Sequence, residues 1–399
     1  MSSSFAGLGL SESLLQTLDA CGYKEPTPIQ SQAIRGILQG RDVIGAAQTG
    51  TGKTAAFALP TLQRLDRHDP NGPRALILVP TRELAMQVDE NFKRYGKETD
   101  LRVTLLYGGV GYKEQLNDLR TGADVIVATP GRLLDLWGRR HLQLDKIQVL
   151  ILDEVDRMLD MGFIEDVSRI IRLCPKERQT LLFSATVEKS ILNIAKWALR
   201  DPVTIDARAE SKTAETVEHF VYPVESYQKY DLLLALLSKT DFKSILIFTR
   251  TKRDADRITE WVESTSNSVA TLHADRTQQE RSEALAGFKS GKYAVLVATD
   301  IAARGLDVRG ITHVINYNVP DHPEDYIHRI GRTGRASTEG TAYTLFSPDE
   351  LHYMRAVENL LGKTIERRKL EGFKYRVEPM MGDNKPGSQP STTPRRRNR

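Results

Sequence analysis

The sequence predicts an α/β protein of two tandem parallel-sheet domains, joined by a short linker and followed by a disordered basic C-terminal tail. Three observations predict this. Short apolar runs recur between longer helix-like segments. The rhythm stops over a polar stretch after Asp201-Pro202 and then resumes. From about Gly382 the composition turns to Pro, Ser and Arg.

The first set of runs is Asp42–Ile44, Ala75–Val79, Val103–Leu106, Val125–Val127, Val149–Leu152 and Thr180–Phe183. They are continuous rather than alternating, as expected of strands buried on both faces of a parallel sheet. Helix-like patterns between them give a βαβ order. Residues 207–216 lack large apolar side chains and read as the linker, separating a domain at 1–206 from one at 217–370. The second set is Ile245–Phe248, Val269–Leu272, Ala294–Val297, Val314–Tyr317 and Thr341–Phe346. Residues 371–399 read as a flexible basic tail, and the composition past Gly382, ending Arg395-Arg396-Arg397-Asn398-Arg399, cannot bury a core. Its arginines suit an auxiliary nucleic-acid contact, with a solubilising end as the plainer alternative.

A 399-residue chain needs no staples to bury a core. Its formal net charge of +4 is compatible with nucleic acid without arguing for it. The two cysteines, Cys21 and Cys174, have no metal-ligand spacing and suit a reducing compartment. The N-terminus lacks a basic-then-apolar signal segment, and no apolar run approaches the roughly 18 residues of a membrane helix. A cytoplasmic chain with no membrane contact is the expectation.

The chemistry starts after Asp42–Ile44, where Ala47-Gln48-Thr49-Gly50-Thr51-Gly52-Lys53-Thr54 precedes a helix-like segment. A glycine-permissive turn ending in Gly-Lys-Thr cradles phosphate oxygens on backbone amides at a helix start. Lys53 is placed to reach the outer phosphates of ATP and the Thr54 hydroxyl to bind Mg2+. Ala47 stands where the general pattern has its first glycine. Asp153-Glu154-Val155-Asp156 follows Val149–Leu152 directly. Asp153 falls at the sheet edge where open α/β folds bind ligands, and can hold magnesium through water. Glu154 can deprotonate the attacking water. Ser184-Ala185-Thr186 ends another run, where the Ser184 and Thr186 hydroxyls are placed to bond Asp156.

Taken together, these motifs resemble the DEAD-box RNA helicases of superfamily 2, over about residues 5 to 370. That resemblance implies two RecA-like domains and ATP-dependent work on RNA, as single strand or short duplex. Residues 5–33 look like the family's adenine-reading segment, with Phe5 as the upstream aromatic and Tyr23, Pro28 and Gln30 within it. The Gln30 amide can both donate and accept, which suits adenine. Pro80-Thr81-Arg82, Gly108-Gly109 and Thr129-Pro130-Gly131-Arg132 are similar to the family's RNA-contact motifs. All three follow predicted strands, where amides, hydroxyls and arginines can grip phosphates. In the second half, Arg281 of Gln278–Arg281 and Thr299 imply RNA contact, and Asp307 implies ribose or nucleotide contact. In His328-Arg329-Ile330-Gly331-Arg332-Thr333-Gly334-Arg335, the spacing puts Arg332 and Arg335 on neighbouring helix positions. The resemblance makes them arginine fingers for the γ-phosphate, with His328 and Arg329 in coupling roles.

Two departures stand out. Val155 replaces the alanine of the family's namesake tetrapeptide, and Ala274 replaces the usual glycine after His273. Val155 adds bulk beside Ser184–Thr186, and overpacking costs roughly 1–3 kcal/mol where nothing compensates. It is expected to perturb coupling between ATP and RNA rather than magnesium binding. The wording Arg157–Phe163 and the short basic tail are similar to the bacterial RhlE-like subgroup. The expected activity is RNA-stimulated ATP hydrolysis with local duplex separation. An ATP-gated RNA clamp and a DNA-acting helicase of the same superfamily are the alternatives. The RNA itself, including ribosomal precursor or RNA-decay assemblies, is left open, and nothing in the sequence demands more than a monomer.

Overall fold

The computed structural model describes residues 4–47, 50–187, 189–207, 217–265, 268–303, 308, 310–334 and 340–381. They fall into two compact units, 4–207 and 217–381. Gln48, Thr49, Asp307 and Arg335 lie outside the described residues, as do the linker at 208–216 and the tail from 382.

The first unit runs α1 (Glu12–Ala20), α2 (Pro28–Leu38), β1 (Val43–Ala46), α3 (Lys53–Leu65), β2 (Ala75–Leu78), α4 (Arg82–Tyr95), β3 (Val103–Leu106), α5 (Lys113–Thr121) and β4 (Val125–Ala128). It continues with α6 (Pro130–Gly138), β5 (Val149–Leu152), α7 (Val155–Asp160), α8 (Ile164–Leu173), β6 (Gln179–Ser184), α9 (Lys189–Ala198) and β7 (Val203–Asp206). Among the described residues its sheet has seven strands in the order β3-β4-β2-β5-β6-β1-β7, all paired in parallel. Alternate residues of β5 feed opposite cores: Val149 and Ile151 join the layer beneath α2, α3 and α4, while Leu150 and Leu152 join the layer beneath α6 to α9. Both faces are covered, so the strand runs are continuously apolar.

The second unit contains β8 (Val217–Pro223), α10 (Lys229–Lys239), β9 (Ile245–Thr249), α11 (Lys252–Glu263), β10 (Val269–Leu272), α12 (Gln278–Lys289) and β11 (Val295–Thr299). Then follow α13 (Asp300–Ala303), β12 (His313–Asn316), α14 (Pro323–Ile330), β13 (Gly340–Phe346) and α15 (Leu351–Leu361). Its six described strands order as β10-β11-β9-β12-β13-β8, again all parallel. No helix among the described residues is long and apolar enough to cross a membrane.

The structure adds three things to the sequence reading. β7 and β8, on either side of the polar stretch, are strands with no counterpart among the predicted runs. Each pairs with one strand among the described residues, β1 for one and β13 for the other, and β8 also bridges to Arg367 through Val221. Residues 371–381, read as part of a flexible tail, belong to the second unit. Leu370, Phe373 and Tyr375 pack on the second core, and Arg376 N donates to Gln228 Oε1 at 2.9 Å. Aromatic side chains with a groove to fill do not behave as a tail. α14 also stops earlier than the arginine spacing assumed, as described below.

Candidate active site

The strand register decides which motifs meet. Parallel pairing places Leu78, Leu106, Ala128, Leu152 and Leu182 level with one another, and Ala46 level with Ser184. Every strand-following motif predicted in the first half therefore emerges at one edge, the carboxyl ends of the strands. The strand order then sorts them. Pro80–Arg82, Gly108-Gly109 and Thr129–Arg132 follow β2, β3 and β4 on one side. The phosphate loop, Asp153–Asp156 and Ser184–Thr186 follow β1, β5 and β6 on the other.

On the β1 side, α3 opens at Lys53 with Gly52 as its cap. Gly50 and Gly52 have φ of 86° and 90°, a left-handed backbone that glycine adopts without strain. This turn aims the first amides of α3 out of the sheet. Lys53 is buried and donates from Nζ to Ala47 O at 2.8 Å, spanning the loop. Thr54 follows in the first turn, half-buried. Gln30 is wholly buried, and both ends of its amide are engaged: Oε1 accepts from Thr27 N at 2.9 Å and Nε2 donates to Gly52 O at 3.1 Å. A Cβ on Gly52 would overlap that amide, so the glycine also permits the close approach. Here Gln30 ties the upstream segment to the phosphate loop. Phe5 and Tyr23 meet edge to face at 6.5 Å, and Tyr23 OH lies 3.0 Å from Tyr95 OH. Pro28, exposed, opens α2.

At β5, Asp153 is 2% exposed and accepts Glu154 N on Oδ1 at 3.0 Å. Burial pushes its carboxyl up to about 7; Lys53 opposes this and the neighbouring Glu154 adds to it. Glu154 caps α7 in the left-handed region, with φ 53°. For a side chain with a Cβ that conformation costs about 1–2 kcal/mol. A buried ion pair to Arg157, Nη1 to Oε2 at 2.6 Å, holds the Glu154 carboxylate. Asp156 receives Ala185 N at 2.9 Å and Thr186 N at 3.1 Å on Oδ2. The link expected through hydroxyls thus runs through backbone amides. Ser184 Oγ and Thr186 Oγ1 are buried without a hydrogen-bond partner among the described residues. Val155 is wholly buried in the apolar layer with Leu152, Met158 and Leu182.

On the β2–β4 side, Thr81 caps α4, its hydroxyl accepting Leu84 N at 3.3 Å. A Cβ on Gly109, with φ 82°, would overlap the Arg82 guanidinium, so the Gly108-Gly109 turn and Arg82 are in contact. Arg132 is buried, donates from Nη2 to Val110 O at 2.8 Å, and stacks on Tyr112 with 4.4 Å to the ring centroid. Three segments far apart in sequence thereby form one surface.

In the second unit, α14 ends at Ile330 with Gly331 as cap. Thr333 Oγ1 donates to Thr312 O at 3.0 Å and pulls the chain away from a further helical turn. Arg332, buried, therefore lies beyond the helix and donates from Nε to His328 O at 3.2 Å. Arg332 thus does not lie on α14 as the spacing predicts, and Arg335 lies outside the described residues. Arg329 is pinned by Asp300 through two bonds of 2.6 Å and also bonds Asn316 Oδ1 at 3.2 Å and Asn318 O at 2.7 Å. His328 sits 3.8 Å from Asp325. Thr299 ends β11 next to Asp300, and Arg281 lies on α12, half-buried. The sequence reading passed over Arg157, Asp300 and Tyr112. Only Arg157 had a signal, its spacing of three from Glu154 across a helix start.

A phosphate-cradling loop beside a buried carboxylate pair, on a parallel sheet followed by a second such sheet, defines a nucleotide-hydrolysing machine of tandem domains. The sequence profile of the DEAD/DEAH box helicases matches residues 27–194, and that of the helicase conserved C-terminal domain matches residues 228–337. An "ATP-dependent RNA helicase CshA" of Limosilactobacillus reuteri is 44% identical over 89% of this chain and 71% of its own length. A "DEAD-box ATP-dependent RNA helicase CshA" of Bacillus subtilis is 40% identical over 100% of this chain and 78% of its own. Among solved structures, S. cerevisiae Dbp5 bound to RNA and ADP BeF3 superposes with a TM-score of 0.82 at 33% identity, covering 92% of this chain and 96% of that one. Mss116p bound to ssRNA and AMP-PNP gives 0.83 at 26% identity, covering 92% and 78%. The chain belongs to the DEAD-box family of ATP-dependent RNA helicases. It uses ATP, and its two units are the family's RecA-like domains.

Proposed function

We propose that this chain couples RNA-stimulated ATP hydrolysis at the β1–β5–β6 half of the edge to RNA held at the β3–β4–β2 half. The observation that carries this reading is the sorting of the two motif sets by strand order onto adjoining halves of one edge. Lys53 and the α3 amides bind the outer phosphates. Glu154, held by Arg157, takes the proton of the attacking water. Arg332 and Arg335 act as the arginine fingers for the γ-phosphate. Arg82, Gly109 and Arg132, with Pro80, Thr81, Gly108, Thr129, Pro130 and Gly131, bind the RNA backbone; Arg281 and Thr299 do so from the second unit. Asp156 relays between the halves through its bonds to Ala185 and Thr186. Gln30 reads adenine once its amide turns from Gly52 to the base, with Tyr23 and Phe5 behind it, and Asp307 contacts the ribose.

The donors fit magnesium. Among the described residues no group of three or more His, Cys, Asp or Glu could hold a metal. One buried carboxylate, Asp153, and one hydroxyl, Thr54, match an ion that takes few protein ligands and shares phosphate oxygens. When bound, Mg2+ would neutralise developing phosphate charge. Cys21 and Cys174 are both free thiols, which supports a reducing, cytoplasmic setting. Similarity to the RhlE-like subgroup remains a proposal separate from family membership.

The test is ATPase rate with and without single-stranded RNA, alongside displacement of a short RNA duplex. RNA stimulation with ATP-dependent displacement supports the reading. Tight ATP-dependent binding without displacement means a clamp. No effect of RNA on ATPase removes the reading.

A further inference from the structure

We propose that the RNA track of the first unit extends past Arg132 to a phosphate-binding site built by Arg139 on the Tyr112 ring. The inference rests on the reading of Arg132 as an RNA contact. Arg132 on α6 and Arg139 at its C-cap lie about two helical turns apart, and their guanidiniums converge on the same ring, at 4.4 and 5.0 Å from its centroid. Tyr112 caps α5 next to the Gly108–Gly111 turn, and its hydroxyl donates to Asp135 Oδ2 at 2.8 Å. Asp135 also accepts Arg139 Nε on Oδ1 at 2.8 Å, so the carboxylate fixes both the ring and the second arginine.

Three features point to an anionic ligand. Arg132 Nη1 is buried with no hydrogen-bond partner among the described residues, although Nη2 is bonded to Val110 O. The Arg139 side chain is 57% exposed and its pairing to Asp135 uses Nε, which leaves the fork of the guanidinium toward solvent. Two guanidiniums face one carboxylate, and Arg140 and His141 follow, exposed, at the same helix end. Stacking on an aromatic ring preorganises a guanidinium while keeping its donors in plane for phosphate oxygens. A single strand leaving Arg132 would meet Arg139 next.

The experiment measures binding of single-stranded RNA to the full chain, with the ATP analogue ADP BeF3, across a salt series. Arg139→Ala is expected to weaken binding roughly threefold to tenfold and to lower the salt slope by about 0.7, the value for one phosphate on a single strand. Arg139→Lys, which keeps the charge, should restore most of the slope. Melting temperatures control for folding. Arg82→Ala serves as the second arm. If Arg139→Ala leaves affinity and slope unchanged while Arg82→Ala weakens binding, the Arg139 site is overturned and the track stands, leaving the ring cluster to a protein partner. If Arg82→Ala is also without effect, the track reading fails and takes the inference with it.

Discussion

Two aspartates, buried at opposite ends of the first sheet, show how differently one unit treats the same side chain. Asp124 precedes β4 at the amino edge. Its carboxylate meets Asp69 N at 2.9 Å, Arg74 Nη2 at 2.6 Å, Arg102 N at 2.9 Å and His68 Nδ1 at 2.7 Å. Burial alone would raise its pKa, but the Arg102 and Asp69 amides, then His68 and Arg74, hold it below the ordinary range. Asp153 follows β5 at the carboxyl edge, receives Glu154 N, and is pushed up to about 7. The amino edge is saturated with donors, and the carboxyl edge is left short of them. Buried groups short of partners are where a protein holds free energy for a ligand.

The largest test separates activity from stability. Glu154→Gln should lower RNA-stimulated turnover about 10²–10⁴-fold, the range for a general base, with a smaller loss of melting temperature than Asp124→Ala, because the glutamine amide oxygen still accepts from the buried Arg157. Asp124→Ala should do the reverse. Removing one partner of a buried charge cluster costs about 3–5 kcal/mol, while kcat of the folded fraction holds. Urea unfolding read beside ATPase on both variants checks this. Equal loss of activity in the two would break the comparison.

Next comes pH. Asp124 is depressed, so its contribution is present above the unfolded pKa near 3.9 and is lost as pH falls through the still lower folded value. Asp153 is raised. The folded state binds its proton more tightly than the unfolded chain, so this site destabilises at pH 8 and relaxes as pH falls through about 7. Asp153→Asn should therefore stabilise the nucleotide-free chain at pH 8, on the order of 1–3 kcal/mol, with a clearly smaller effect at pH 5, since the penalty fades toward the unfolded pKa near 3.9, and abolish hydrolysis. Melting curves at both pH values decide. Destabilisation at pH 8 would show that Asp153 is satisfied after all.

The two edges also explain what was legible in the sequence. Interior strands such as Val149–Leu152 announce themselves as unbroken apolar runs because helices cover both faces. β7 and β8 have one strand partner each and lie against the polar stretch, so the linker reading absorbed them. Motif order gave the carboxyl edge, because phosphate and carboxylate chemistry fix residue types at fixed places after strands. Side-chain partners were a different matter. That Asp156 bonds amides rather than hydroxyls, that Arg329 is pinned by Asp300, and that Gln30 bonds Gly52 O depend on distances between segments 22 to 30 residues apart. Arg332 was misplaced because a spacing of three implies a helix only if nothing ends it, and Gly331 does.

The smallest effect concerns Val155, between Glu154 and Asp156. It lies on the carboxyl edge yet is packed like the core, wholly buried with Leu152, Met158 and Leu182. Two accounts make opposite predictions for Val155→Ala. If the layer has adjusted to the valine, truncation opens a small cavity and costs roughly 1–2 kcal/mol. If the valine is overpacked, truncation is neutral or stabilising. The burial of its packing partners, with Leu150, Leu152 and Leu182 each at 0% exposure, favours the first. The functional effect follows from the next residue. Asp156 holds Ala185 N and Thr186 N, so the seating of α7 against β6 sets that contact. A small inward shift of α7 in Val155→Ala should change the ratio of RNA-stimulated to basal ATPase by about two- to threefold, about 0.5 kcal/mol of coupling, with magnesium dependence unaltered. An unchanged ratio in a destabilised variant would confine Val155 to packing and move the seat of coupling to Asp156 alone.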